Sequence, residues 1–141
     1  MRVALIGCGK SKADHECQAR DLYTGSLFRA SLAYCEPRFE WIRIVSAFHG
    51  LVRLDDLVFP YERTLKGLGK AFVAGWAFRI VDRLKMQAFF AGLKIESVSI
   101  FAGADYAEPL RAELRQRRIH TELPLEGLTQ GRRLQWFKEA A

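Results

Sequence analysis

Cysteine and proline are scarce in this chain, three and four among 141 residues. A small, odd set of cysteines, without a secretory leader, argues against a disulfide framework and for a reducing cytoplasm. Long apolar runs are missing as well. The first, Val3 to Ile6, falls far short of the ~20 residues of a membrane span, so no membrane partner is expected. There is no repeat, no low-complexity tract and no Pro/Ser/Gly-rich linker, so residues 1–141 are read as a single domain. Acid is in deficit: 16 Asp and Glu stand against 22 Lys and Arg, a formal net charge of +6. A basic balance favours an acidic partner, and nucleic acid is the commonest. Half of the residues are hydrophobic, which is enough for a real core at this length.

The apolar pattern alternates between two periods. Val3–Ile6, Trp41–Ala47, Ser97–Phe101 and Ile119–Leu123 read as buried strands, short apolar or β-branched runs bounded by turn residues. Arg20–Tyr34, Lys70–Leu93, Tyr106–Arg117 and Thr129–Glu139 read as helices, with apolar residues at helical spacing. Residues 50–68 read as irregular. Strands alternating with helices predict an α/β fold, an open, doubly wound, mainly parallel sheet of about four strands with helices on both faces. Ligands of such sheets bind outside the carboxyl ends of the strands. That rule selects residues 7–12, 47–50, 102–106 and 123–127.

The first of these segments reads Gly-Cys-Gly-Lys-Ser-Lys. A phosphate-binding loop of the type G-x-x-x-x-G-K-S/T would need a glycine where Ala4 stands, and a dinucleotide fingerprint would need one at Lys12. Both are excluded. Cys8, His15, Cys17 and Cys35 match no common zinc spacing, so no metal and no cofactor is expected. Cys8 is either a nucleophile activated by nearby lysines or a small residue that permits close backbone approach. The remaining reading is an anion held by bare amides around Gly9, by Lys10 and Lys12, and by the Ser11 hydroxyl.

The other loops carry compatible chemistry. Arg20, Asp21 and Tyr23 precede a helix. Arg20 can grip phosphate, Asp21 is either a helix-initiating acid or a catalytic carboxylate, and Tyr23 either stacks on a base or packs. Phe48 and His49 follow the second strand, His49 as a candidate donor or acid/base. Tyr61 and Glu62 lie on a long loop suited to a binding wall. Asp105 and Tyr106 follow the third strand, Asp105 as a cap or a cleft carboxylate. Cations suit phosphates and aromatic faces suit bases. Carboxylates beside them repel phosphate, which hints at chemistry on a nucleoside rather than binding alone.

Taken together, CGKSK, ARDLYTGSLF, SAFHGLV and PYERTL resemble a bacterial and phage family of small domains that reads CGKxK, ARDLYxSxLF, SAxHGLxxP and PYxxTL. The match spans residues 7–65, with a weaker echo at 101–106. That family is similar to the peroxide-stress protein YaaA and to accessory domains of archaeosine tRNA enzymes. Those in turn resemble the uracil-DNA-glycosylase-like fold. The resemblance extends to compact antiphage glycosylases that remove glucosylated hydroxymethylcytosine from phage DNA. The chain lacks the G-Q-D-P-Y water-activating loop of uracil glycosylases, so no catalytic acid is carried over.

Two functions are therefore expected. The first is a DNA glycosylase acting on a modified, flipped base in double-stranded DNA. Asp21 or Asp105 would be its carboxylate, His49 a donor to the leaving base and Tyr23 or Tyr61 a stacking wall. Lys10, Ser11 and Arg20 would contact phosphate, and Glu62 an amine or sugar hydroxyl. The second is a non-catalytic nucleic-acid-binding module in stress response. An enzyme acting on free nucleosides shares the bond chemistry of the first, but the +6 charge speaks mildly against it.

Overall fold

Strand β1 (Arg2–Gly7) is apolar on both faces because it lies in the middle of a sheet with a core on each side. Side chains alternate along a strand, so Val3 and Leu5 enter one core while Ala4 and Ile6 enter the other. Complete burial of residues the size of Leu5 and Ile6 is worth about 1.5–3 kcal/mol each. The structure, a computed structural model, describes residues 1–140; Ala141, the last residue of the expected domain, lies outside the described residues. The remaining elements are β2 (Cys17–Gln18), α1 (Ala19–Leu22), α2 (Ser26–Cys35), β3 (Trp41–Ser46), β4 (Gly50–Arg53), β5 (Leu57–Val58), α3 (Lys70–Phe90), β6 (Ser97–Phe101), α4 (Ala104–Gln116), β7 (His120–Glu122) and α5 (Gln130–Ala140).

The α/β architecture stands, with two corrections to the expected sheet. It has five strands, in the order β4-β3-β1-β6-β7, and it is mixed. β1 pairs in parallel with β3 and β6, and β6 with β7, but β4 runs antiparallel to β3. The fifth strand lies in the stretch read as irregular. Its cause is local. Gly50 takes φ +73°, open to glycine and strained for other residues, and the Ser46 hydroxyl accepts hydrogen bonds from the Phe48 and His49 amides at 3.2 and 3.0 Å. The chain therefore turns straight back as a hairpin. β2 and β5 form a separate two-stranded antiparallel ribbon, also absent from the sequence reading.

The expected helix over 20–34 is two helices. Ala13 N–H donates to the Leu22 carbonyl at 2.8 Å and Thr24 N–H to the Ser11 carbonyl at 3.0 Å, with a Lys12–Tyr23 bridge between them. These bonds to the loop after β1 replace the helical ladder, and Gly25 marks the restart. α3 and α4 cover one face of the sheet, through Trp76, Ile80, Leu84, Leu110 and Leu114. α1, α2 and α5 cover the other, through Leu22, Phe28, Cys35 and Phe137.

From β1 the chain moves to β3 on one side, and from β6 to β7 on the other. The crevice between the carboxyl ends of β1 and β6 is the topological switch point, where open α/β sheets bind ligands. The two strand ends meet closely there. A Cβ on Gly7 would stand 2.8 Å from the Ala102 Cβ, too near for either to relax as a flexible tip would. Gly7→Ala is expected to destabilise the protein by about 1–3 kcal/mol, as overpacking does, with Ala102→Gly in the same chain restoring most of it. Gly9→Ala, with nothing within 4 Å of its Cβ, should leave the urea midpoint close to wild type. Equal midpoints for Gly7→Ala and Gly9→Ala would contradict this account.

Candidate functional site

A cavity of about 750 Å³ occupies the switch point. Its floor is the loop from Gly7 to Ser11, its walls the first turns of α2 and α4, and its far side Leu125 with Gln130 and Arg133 of α5. Two helix N-termini open onto it without a side-chain cap: Gly25 precedes α2 and Gly103 precedes α4. The first turn of a helix presents N–H groups without intrahelical partners and carries the positive end of the helix dipole. The cavity thus offers bare amides to an anion at two places.

Two cations add to this field. Lys10 is exposed on the floor. Arg133 reaches in from α5, and its Nη1 lies 3.4 Å from where a Cβ on Gly103 would sit, so the glycine leaves the guanidinium room. The Arg133 Nε is buried and has no hydrogen-bond partner among the described residues. Neither cation forms an ion pair among the described residues. Sequence reasoning missed Arg133, although a signal existed. Arg132 and Arg133 sit in the first turn of a helix, where the dipole disfavours cations unless an anion is shared.

The expected residues divide. Cys8, Gly9, Lys10, Ser11, Asp105 and Tyr106 all line the cavity. Asp105 stands exposed in the first turn of α4. Tyr106 accepts a hydrogen bond from the Cys8 thiol at 3.8 Å, which leaves its own hydroxyl hydrogen free. Burial, with Cys8 beside it, pushes the Tyr106 phenol well up, so it keeps its proton. The apolar wall is made by Phe28 and Phe101, which had not been singled out.

Arg20 and Asp21 are elsewhere, on α1. Arg20 pairs with Glu36 at 3.3 Å, and the Asp21 charge acts on Cys17. Glu62 is exposed and lines neither this cavity nor the smaller one beside the β3–β4 turn. His49 lines that smaller cavity, with its Nε2 3.4 Å from the Phe59 carbonyl.

Tyr23 and Tyr61 do not form the wall of the main cavity. They form a partly buried hydroxyl chain near Cys8. Ser46 donates to the Tyr61 hydroxyl at 2.6 Å, and Tyr61 and Tyr23 share a hydrogen bond at 2.7 Å. Around Tyr61, Phe48 stacks at 5.5 Å, His49 meets the ring edge-on at 4.8 Å, and the Lys12 ammonium sits 4.6 Å over its face. The Lys12 Nζ also donates to the Lys10 carbonyl at 3.2 Å, so Lys12 fastens the loop to the aromatic cluster. Ser46 links the cluster to α3, since its carbonyl accepts from Trp76 Nε1 at 2.9 Å. Among the described residues, no group of three or more His, Cys, Asp or Glu is placed to hold a metal ion.

Burial pushes Tyr23 from its ordinary value of 10 up to about 12, against the opposing hydrogen bond from Tyr61. The folded chain therefore keeps this proton after the unfolded chain has lost it. The stabilisation is complete below pH 10 and is lost as pH rises towards 12, with a magnitude of about 2–3 kcal/mol. Urea midpoints across this range should fall steeply for wild type. Tyr23→Phe should be about 1 kcal/mol weaker at neutral pH and show a shallower alkaline fall. An equally steep fall in the variant would remove Tyr23 as the cause.

Comparison with known proteins gives one family and one relative. Residues 3–139 match a family described as "Family of unknown function (DUF6884)". "Uncharacterized protein YfjM" of Bacillus subtilis (strain 168) is 30% identical over 132 residues, which cover 88% of this chain and 83% of that protein. No solved structure matches. The family match takes in nearly the whole chain, and on that extent the chain belongs to the DUF6884 family.

Proposed function

We propose that this protein is a DNA glycosylase that hydrolyses the N-glycosidic bond of a modified base and leaves an abasic site. Glucosylated hydroxymethylcytosine of phage DNA is the substrate the resemblance favours, with antiphage defence in the cytoplasm as the role and a uracil-DNA-glycosylase-like fold as the frame. One observation carries the reading. A single cavity at the switch point joins bare amides and unpaired cations to an aromatic wall and one carboxylate. Its volume of about 750 Å³ lies in the upper part of the ~300–1,000 Å³ range of ligand sites, which suits a flipped base that carries an added sugar.

The roles follow from chemistry. The amides of α2 and α4, with Lys10, Ser11 and Arg133, take a phosphate of the flipped nucleotide. Phe28 and Phe101 supply apolar surface for the base. As the C1′–N bond breaks, the sugar becomes oxocarbenium-like and the electron pair leaves with the base. Asp105 stabilises the cation, orients the water that adds to C1′ and accepts its proton. The Tyr106 hydroxyl, held protonated, donates a hydrogen bond to the departing base. No redox step is involved.

A second reading, a non-catalytic DNA-binding module of YaaA type, is favoured by a different observation. Of the expected acid/base residues Asp21, His49 and Asp105, only Asp105 lines the cavity. Incubation with duplexes carrying normal, uracil, hydroxymethylated or glucosylated bases separates the two. Alkali reveals abasic sites as breaks, and mass spectrometry identifies the released base. Release is expected from the glucosylated duplex, with Asp105→Asn slowing it by on the order of 10²–10⁴-fold while duplex binding persists. Bound but uncut DNA across the whole panel would favour the binding module, and full activity in Asp105→Asn would exclude the assigned carboxylate.

A further inference from the structure

A second, smaller cavity of about 270 Å³ lies between the β3–β4 turn and α3. We propose that it is a phosphate site for the backbone of the same DNA, an inference that rests on the glycosylase reading for the identity of the polymer. Three arginines, Arg63, Arg79 and Arg83, line it together with His49, over a floor of Trp76 and Phe72. Arg79 and Arg83 are one helical turn apart and so share a face. Like charges at that spacing cost the helix a few tenths of a kcal/mol unless something neutralises them. Nothing within α3 does so. Its one acid, Asp82, is turned to Arg117 at 3.4 Å. Arg63 rests on the Phe72 ring at 5.4 Å. Among the described residues none of the three arginines forms an ion pair.

Position and chemistry both favour a nucleic-acid backbone over an acidic peptide. The β3–β4 turn stands at the carboxyl end of β3, next to β1, whose end forms the floor of the main cavity. Neighbouring strands are ~4.8 Å apart, so the end of the second cavity formed by the β3–β4 turn lies on the same rim of the sheet as the first cavity's floor, on the order of 10 Å from it. One DNA strand advances ~3.4 Å per nucleotide along its axis, so that span is a few nucleotides. Phe48 stands on this rim, 57% exposed and stacked on Tyr61, and offers its outer face to a base. Guanidinium forks match phosphate oxygens in pairs, and aromatic faces beside them suit nucleotides.

The test uses the full chain and a fluorescent, unmodified duplex, with anisotropy measured over a series of salt concentrations. Arg79→Gln/Arg83→Gln is expected to weaken binding about tenfold and to reduce the slope of log K against log salt by about one. Both side chains are exposed, so the melting temperature should stay at the wild-type value. Arg63→Gln, on a separate element, should weaken binding in the same direction. Wild-type affinity and slope in both variants would overturn the proposal. So would wild-type protein that binds polyglutamate or free pyrophosphate but no duplex. Unmodified DNA holds no base to release, so the two readings fail separately. If no modified duplex is cleaved while the arginine variants still lose salt slope, this site stands and the glycosylase reading falls.

Discussion

The architecture depends on one strand. β1 is hydrogen-bonded on both edges and buried on both faces, and the chain departs from it towards one side of the sheet while it departs from β6 towards the other. That reversal opens the crevice. The contact of Gly7 with Ala102 sets how closely the two strand ends approach before they diverge. Most of what lines the main cavity is attached to this point, through the loop after β1, the start of α4, or the restarted α2, whose lead-in residue Thr24 bonds to the loop, while Leu125, Gln130 and Arg133 close it from the α5 side.

The parts legible in the sequence are those set by local pattern. β1, β3, β6 and α3 have long or strongly apolar periods, and their cores follow from alternation and helical spacing. The loop at Gly7 to Ser11, which the structure places on the cavity floor, was legible as a candidate because an apolar strand ends there on glycines and lysine. The break between α1 and α2 was not, because it depends on backbone bonds to residues 11–13 that no helical period encodes. The β3–β4 hairpin left a weak trace, a glycine after His49 between two apolar runs. A short antiparallel edge strand beside a long loop carries little pattern of its own. Tyr23 and Tyr61 show a further limit. Composition identifies aromatic residues near a cleft, but only packing decides whether they face a ligand or, as here, pair with one another.

The distribution of charge is as informative as its sum. Several acids are placed on arginines that line neither cavity, as with Glu36 and Arg20, Glu108 and Glu126 with Arg111, and Asp82 and Glu113 with Arg117. These pairs are exposed or partly so, and each contributes little to stability. Their consequence lies in what they leave over. Around the two cavities Lys10, Arg133, Arg63, Arg79 and Arg83 stand without an ion pair among the described residues, so part of a modest net charge becomes a local positive field there.

The uncapped starts of α2 and α4 carry one more consequence. A chain that used Ser or Asp at those positions would gain roughly a few tenths of a kcal/mol at each helix. Glycine forgoes that gain and leaves the amides to whatever anion arrives. Occupancy and folding are thereby linked, because a ligand that binds only the folded chain adds stability as the logarithm of its concentration over its dissociation constant. An anion held there would lengthen the protein's lifetime against unfolding and proteolysis, and the empty chain would be the less durable of the two.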